Sequence, residues 1–210
     1  MNIFVSVGTT ATPAQEAFVR AIEERLRTEG LVPQTVGRTY FTADSPFIGV
    51  NKLMGSCKGA VVIALERVHL GTGTERRDSP KAVPLHDIKF ATPWNQIEAA
   101  LAYAQKIPLL VIAEDGVRQD GLLENGFDWY VIKAKLDPAF LSSTEFNGVL
   151  ASWKQKLTAA PGKTFPVIAP AEMTVGQLVG ALKPTQLWAL MGSLSALVAG
   201  AFTLGAKLFH

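Results

Sequence analysis

The sequence predicts an α/β fold in which five parallel strands form one sheet and helices cover both of its faces. Short apolar and β-branched runs alternate along the chain with segments of helical periodicity, which is typical of parallel sheets. The central runs are apolar without interruption, as strands are when both faces of a sheet are buried. The chain has 210 residues, enough for one such domain and an appendage.

Periodicity and end signals justify each element in turn. Phe18, Ile22 and Leu26 recur every four residues and give the first helix one apolar face, and Gly30 ends that helix. Pro33 cannot donate to a sheet ladder, so the second strand is predicted at an edge. The predicted elements in chain order are strand 3–7, helix 13–29, strand 31–36, helix 46–57, strand 60–65, helix 93–105, strand 108–113, strand 129–132 and helix 138–157.

This alternation favours a flavodoxin-like sheet with the strand order 2-1-3-4-5. In such sheets ligands bind beyond the carboxyl ends of the strands, at the point where the strand order reverses. That point lies here between the first and third strands. Gly8, Thr9 and Thr10 follow the first strand, and Glu66 and Arg67 follow the third. We therefore predict that these five residues line a ligand site.

The long segment of residues 66–92 is predicted to be a loop. It holds glycines, prolines and a polar run, which are loop signals. A loop of this length in a compact domain is usually either functional or without fixed structure. Arg67, Arg76, Arg77 and Lys81 make it basic, which suits an anionic ligand, although a solvated surface loop explains the same charges.

The composition excludes several kinds of site. The formal net charge of +2 gives no basic face, so we expect no nucleic-acid partner. The single cysteine, Cys57, rules out an internal disulfide. His69 and His86 lack the spacing of metal ligands, so no metal site is expected. Because no phosphate-loop or dinucleotide fingerprint is present, no bound cofactor is predicted either.

The end of the chain is predicted to anchor it in a membrane. We divide the chain into a domain of residues 1–157, a linker of residues 158–183 with a short helix, and a transmembrane helix of residues 184–210. No charged residue occurs in residues 186–206. At about 1.5 Å per residue this span reaches about 30 Å, the thickness of the hydrocarbon core of a bilayer. A buried core helix is the alternative.

The predicted tail also indicates assembly and location. Gly192, Ala196 and Gly200 recur every four residues, and such small-residue stripes favour close helix packing in membranes, so a homo-oligomer is predicted. The N-terminus lacks the basic region and long apolar run of a signal peptide. We therefore expect a single-pass protein of the inner membrane with its N-terminal domain in the cytoplasm.

The sharpest chemical signal is Trp94-x-x-x-Glu98 at the start of the predicted helix after the long loop. A carboxylate and an indole four residues apart share one helix face. At the carboxyl edge of the sheet they can bind ribose, or stabilise the positive charge that develops on a sugar during N-glycosidic cleavage. The alternative is an exposed Glu98 near the helix start that the helix dipole stabilises, with Trp94 in the core. Asn95 is also predicted to contact the ligand, and Arg38 to contact its phosphate or ribose unless it is a surface arginine.

The same element resembles two enzyme families. Trp94-x-x-x-Glu98 is similar to the Trp-x-x-x-Glu element of Toll/interleukin-1 receptor (TIR) domains, in which the Glu is catalytic where NAD is degraded. Residues 93–104 and 107–112 also resemble nucleoside 2-deoxyribosyltransferases, which place a nucleophilic Glu on the equivalent helix. The first strand, residues 3–7, is similar to the opening of both families. This resemblance implies that Glu98 is the catalytic residue if the protein is an enzyme.

The chain departs from these families in three respects. Gly8-Thr9-Thr10 stands where TIR domains have acidic or aromatic residues, and the segment after the third strand is longer than usual. No second carboxylate is placed by a motif, and Glu66 is the predicted partner of Glu98.

Three functions are compatible with the sequence. The first is a membrane-anchored TIR-like effector that binds a nucleotide signal, oligomerises and disrupts the membrane; the resemblance implies bacterial anti-phage defence by abortive infection. The alternative is a TIR-type NAD glycohydrolase that uses Glu98. The third is a tethered interaction module without a ligand. The predicted ligand is a cyclic nucleotide or an NAD-derived nucleotide.

Overall fold

The computed structural model describes residues 1–125 and 129–158. Seven strands and four α-helices occur in this part of the chain, with two short 3-10 helices. In chain order they are β1 (Asn2–Val7), α1 (Pro13–Thr28), β2 (Val32–Gln34), α2 (Pro46–Gly55), β3 (Gly59–Ala64), β4 (Val68–Glu75), β5 (Val83–Phe90), α3 (Pro93–Ala104), β6 (Leu109–Glu114), a 3-10 helix (Gly121–Leu123), β7 (Val131–Ala134), a second 3-10 helix (Pro138–Ser142) and α4 (Thr144–Thr158).

Five of the described strands form one parallel sheet in the order β2-β1-β3-β6-β7. With β4 and β5 set aside, this is the predicted order 2-1-3-4-5, so the flavodoxin-like prediction is confirmed. The short strand β2 lies at an edge, as Pro33 predicted, and pairs there with β1. Ser6 of β1 lies opposite Val62 of β3, so the carboxyl ends of these two neighbours meet at the same edge.

Helices cover both faces of the sheet, and the sheet separates the core into two clusters. On one face α1 and α4 contribute large side chains, among them Phe18, Phe146 and Trp153. On the other face α2 and α3 contribute Met54 and small residues such as Ala99. Strands β3 and β6 are buried along their whole length. This explains their uninterrupted apolar sequences, since neither face meets water.

The segment predicted to be a loop forms an antiparallel hairpin instead. Strands β4 and β5 pair from Val68 opposite Phe90 to their far ends, and the turn places Arg76 and Asp78 at positive φ angles of 52° and 62°. The strands pair locally with each other and most of their side chains are exposed. Such a hairpin needs no apolar run, so the prediction of a loop from its glycines, prolines and charges is wrong.

Two predicted elements shift in the second half of the domain. The last strand lies at Val131–Ala134 rather than at residues 129–132. The closing helix is divided, because Ser143 is extended and separates the 3-10 helix from α4. The Ser143 hydroxyl then accepts a hydrogen bond from the backbone N–H of Phe146 at 3.1 Å and caps α4.

The predicted transmembrane helix, and the linker beyond its first residue, lie outside the described residues. Within residues 1–125 and 129–158, no helix combines the length and apolar character needed to cross a membrane. The anchor, its orientation and its small-residue stripe therefore stay predictions.

Candidate functional site

Asn95 joins β1 and β3 at the point where ligands bind in sheets of this order. It lies in the first turn of α3 and is 1% exposed. Its side-chain Nδ2 lies 2.9 Å from the Oγ of Ser6, 3.5 Å from the carbonyl oxygen of Ser6 and 3.4 Å from that of Ile63. These contacts fix the start of α3 over the last residues of two adjacent strands.

Glu98 lies one turn further along α3 on the same buried side of the helix, and is 9% exposed. Burial raises the pKa of its carboxyl from the ordinary 4.5 to about 7, and a hydrogen bond with the Ser6 side chain opposes that rise. No charged group contributes to the shift. The carboxyl can therefore exist in both protonation states near neutral pH, which suits a group that exchanges protons or meets positive charge.

Trp94 and Glu98 differ sharply in exposure. Trp94 is 40% exposed, whereas Glu98 is 9% exposed. The alternative of a core tryptophan with an exposed glutamate is therefore wrong. The two residues share one helix, but Trp94 lies on its solvent side, whereas Glu98 lies on the buried side together with Asn95.

The turn after β1 lies against the start of α3. A Cβ atom added at Gly8 would lie 3.1 Å from the Cγ2 atom of Thr92, the N-cap of α3, so a side chain there would be crowded. Thr9 is exposed, and Thr10 donates a hydrogen bond to Glu16 Oε2 at 2.8 Å. Gly8 is thus at the site next to Asn95, whereas Thr10 is turned toward α1.

Arg38 is held in an ion-pair cluster. Its guanidinium makes two hydrogen bonds to the carboxylate of Glu16, at 3.0 and 3.1 Å, and its Nε lies 3.4 Å from an oxygen of Glu23. The hydrogen bonds that Arg38 donates to Glu16 raise the pKa of the guanidinium. Arg38 and Thr10 therefore both donate to Glu16. A phosphate would have to compete with the carboxylates of Glu16 and Glu23 for Arg38.

Glu66 and Arg67 belong to the base of the hairpin. The carboxylate of Glu66 forms an ion pair with Lys89 of β5 at 3.0 Å. The contacts of Glu66 therefore give no support to the prediction that it is the partner of Glu98. Arg67 is exposed, and its backbone N–H donates to the carbonyl of Phe90 at 2.8 Å.

Glu114, at the end of β6, is a site residue that the sequence reasoning missed. It is 8% exposed, and its Oε2 accepts hydrogen bonds from the backbone N–H of Glu66 at 2.8 Å and from Gln15 Nε2 at 3.4 Å. Lys89 lies 3.8 Å from its other oxygen. The signal was available, because a carboxylate directly after an apolar central strand falls at the ligand-binding edge. Ser6 was missed in the same way, as a polar residue inside an apolar strand.

Two further side chains fix the segment that follows β6. Arg118 joins both ends of the hairpin, since its backbone N–H donates to the carbonyl of Lys89 at 2.8 Å and its Nη2 donates to Glu75 at 2.9 Å. Gln96 of α3 donates to the carbonyl of Asp120 at 2.6 Å and accepts from the backbone N–H of Leu122 at 3.0 Å. The hairpin and this segment therefore rest on the same edge as the candidate site.

The part of the chain that the structure describes has no cluster of metal-binding side chains at this edge. In residues 1–125 and 129–158, no three His, Cys, Asp or Glu side chains are placed to hold a metal ion. His69 instead contacts Asp87 at 2.6 Å on the hairpin surface. An open depression between α1 and α4, lined by Arg25 and Lys154 among others, includes none of the predicted site residues.

Comparison with known proteins gives a distant structural likeness. No protein-family model and no curated protein matches the chain. Among solved structures, it is similar to the TIR domains of the activated Roq1 resistosome directly recognizing the pathogen effector XopQ, at 14% sequence identity and a TM-score of 0.35. The match covers 75% of this chain and 81% of that one. The flavodoxin-like architecture of the described domain follows from its own strand order.

Proposed function

We propose that this domain binds a nucleotide at the carboxyl edge of β1 and β3 and cleaves the N-glycosidic bond of NAD, with Glu98 as its catalytic carboxyl. The observation that carries the proposal is a buried carboxyl with a pKa of about 7 next to the point where the strand order reverses. Strongly perturbed carboxyls in such positions mark functional sites. The resemblance of Trp94-x-x-x-Glu98 to the TIR element supports the same assignment.

The proposed reaction replaces one bond at ribose C1′. The bond from C1′ to the pyridinium nitrogen breaks, and its electron pair leaves with neutral nicotinamide. Water adds at C1′ and releases one proton. The ionised form of Glu98 would stabilise the positive charge that develops on the ribose and could accept that proton. Activity should therefore rise with pH through about 7, as the carboxyl ionises.

Other residues at this edge would position the nucleotide. The half-exposed indole of Trp94 offers an aromatic face on which a base or pyridinium ring can stack. Gly8 and Thr9, which follow β1, are the proposed contacts for a ribose or phosphate. Arg38 is proposed to act only at the border of the site, because Glu16 and Glu23 already neutralise it.

A second candidate is a nucleotide sensor that assembles in the membrane and disrupts it in anti-phage defence. The uncharged residues 186–206 favour it, because soluble NAD cleavage needs no apolar tail. Deleting residues 184–210 should then move the protein from the membrane to the soluble fraction. Recovery of the full-length chain in the soluble fraction without detergent would remove the anchor and with it this candidate.

Glu98→Gln separates the two functions. The amide keeps the shape of the side chain but carries no negative charge, so nicotinamide release by the full-length protein should fall by about 10² or more. Glu24→Gln, which removes an exposed carboxyl on α1, is the matched control and should cleave at the wild-type rate.

The same variants can be compared in cells that express the full-length chain, with NAD content and membrane potential followed together. NAD loss before depolarisation, abolished by Glu98→Gln, supports the glycohydrolase. Depolarisation with NAD intact contradicts it and supports the sensor.

A further inference from the structure

Strand β4 has a free edge in the part of the chain that the structure describes. Among these residues it pairs with β5 alone, and it runs for eight residues from Val68 to Glu75. Every second residue of such a strand directs its backbone N–H and C=O groups away from the hairpin. An unpaired edge of this length is a ready template for a strand of another chain.

The other outer strands carry features that resist such pairing. Strand β2 has three residues and contains Pro33, and β7 has four residues and exposes Lys133. Strand β5 contains Pro84, which cannot donate to a ladder, and Asp87, whose φ of 53° departs from the extended conformation. Strand β4 has neither proline, lysine nor a residue at positive φ. It is therefore the outer strand that is open to a partner.

The sequence of β4 is complementary to itself when the second copy runs in the opposite direction. In the antiparallel pair that has Thr72 on its twofold axis, the opposite residues are Thr72 with Thr72, Gly71 with Gly73, Leu70 with Thr74 and His69 with Glu75. Threonine pairs stabilise neighbouring strands, and glycine opposite glycine leaves no side chains to collide. A Cβ atom added at Gly71 would meet no atom within 4 Å, so the surface of the strand is open there.

Charge favours the same arrangement. His69 and Glu75 are the titratable residues of β4, and 49% and 32% of their side chains are exposed. In the antiparallel pair an imidazole faces a carboxylate at both ends, whereas a parallel pair in register would place Glu75 against Glu75. Like charges that lie directly opposite each other destabilise a strand pair, so the second copy fits in the antiparallel direction.

We propose that this chain forms a symmetric dimer in which β4 pairs with β4 of a second copy across a twofold axis at Thr72. The two hairpins then form one four-stranded sheet in the order β5-β4-β4-β5, in which neither β4 edge stays free. Glu98 takes no part in this contact. The dimer therefore does not depend on NAD cleavage.

Cysteine cross-linking of the full-length chain under mild oxidation tests the register. Wild type is the blank, because its single cysteine, Cys57, is buried. Thr72→Cys places two thiols directly opposite each other, within reach of a disulfide, and should give a covalent dimer. Thr74→Cys places them about 13 Å apart and should give none. Chains with Leu70→Cys mixed with chains with Thr74→Cys should cross-link, because these two positions lie opposite each other.

A charged substitution tests the edge itself. Thr72→Lys, introduced into both of the mixed chains, places two lysines opposite each other and should slow their disulfide formation about tenfold or more. His86→Lys is the matched control. His86 is exposed and lies opposite Thr72 within the hairpin, but on β5, so the same charge at the same level should leave the rate unchanged.

Four results would overturn the proposal. Equal cross-linking of Thr72→Cys and Thr74→Cys would indicate unspecific collision or association through the predicted tail alone. The absence of cross-linking in every variant would indicate an edge that another segment of the chain covers. A rate that Thr72→Lys leaves unchanged, or that His86→Lys lowers equally, also contradicts it. Should Thr72→Cys fail to fold, the mixture of Leu70→Cys and Thr74→Cys decides the question.

Discussion

Two glutamates on opposite faces of the same sheet have opposite electrostatic surroundings. Glu16, on α1, accepts hydrogen bonds from Arg38, Arg20 and Thr10, and these hold its pKa at about 2. Glu98, on α3, has no arginine or lysine among the causes of its shift, and burial raises its pKa to about 7. The pKa of Glu16 thus lies below the ordinary value of 4.5, and the pKa of Glu98 lies above it.

The contrast shows that one residue type is held in two opposite electrostatic environments. A carboxylate that is fully paired with arginines stays ionised at every physiological pH and ties segments together. A buried carboxyl without a countercharge destabilises the fold whenever it ionises, and such an arrangement persists where chemistry needs it. Three substitutions test this contrast by measuring what each carboxyl does to stability.

The largest effect is expected for Glu98→Gln. Between pH 4.5 and 7 the folded state keeps a proton on Glu98 that the unfolded state has lost, so wild-type stability falls as pH rises through this window. A shift from 4.5 to about 7 corresponds to about 3 kcal/mol at most. Glu98→Gln removes the ionisation and should be more stable than wild type at pH 8, by up to that amount, but not at pH 4.5.

Urea unfolding of the full-length chain at both pH values, followed by tryptophan fluorescence, measures this difference. Glu24→Gln is again the control, because it removes an exposed carboxyl. A stability difference between Glu98→Gln and wild type that is the same at pH 4.5 and pH 8 would show that Glu98 is not buried as a neutral acid.

A smaller effect of opposite sign is expected for Arg38→Met. The lowered pKa of Glu16 means that this ion pair stabilises the fold above pH 4.5 and loses its contribution as pH falls toward 2. Because both side chains are partly exposed, the loss at pH 7 should be only about 1 kcal/mol, and salt should reduce it. Thermal unfolding at pH 7 and pH 3 checks the prediction. An equal loss at both pH values would indicate packing by the arginine stem instead of charge.

The smallest effect is expected for Arg20→Gln. Arg20 contacts the same carboxylate at 2.8 Å, but its side chain is 75% exposed. Exposed pairs four residues apart on a helix contribute only about 0.3 kcal/mol. The melting temperature at pH 7 should therefore change far less than in Arg38→Met. A loss of stability as large as that of Arg38→Met would contradict the contrast, because it would mean that the exposure of an ion pair does not determine its contribution to stability.

The helices and the parallel strands were predictable because each leaves a strong local pattern. The apolar runs of β3 and β6, the proline in β2 and the spacing of Phe18, Ile22 and Leu26 indicated their structure without any tertiary information. The hairpin was not predictable in this way. Its strands pair with each other in solvent, so their sequences need neither an apolar face nor an uninterrupted run.

The location of the candidate site was predictable from the sequence, but the pairing of its charged side chains was not. Glu98 and Asn95 fall at the sheet edge that the strand order indicates, and Glu98 is buried there. Arg38 and Glu66 lie near the same edge, but their charges are satisfied by Glu16 and Lys89. Which charges pair depends on distances between segments far apart in the chain, and residue type alone does not contain them.

Local patterns in the sequence predicted the buried parallel strands, the helices that cover both faces of the sheet and the position of the Trp94-x-x-x-Glu98 element, because periodicity and end signals act over a few neighbouring residues. The folded chain alone reveals that Glu98 is buried while Trp94 is 40% exposed. It also reveals that Asn95 contacts Ser6 and Ile63. Burial and these contacts arise where α3 packs against β1 and β3, and the two strands are brought together only by folding.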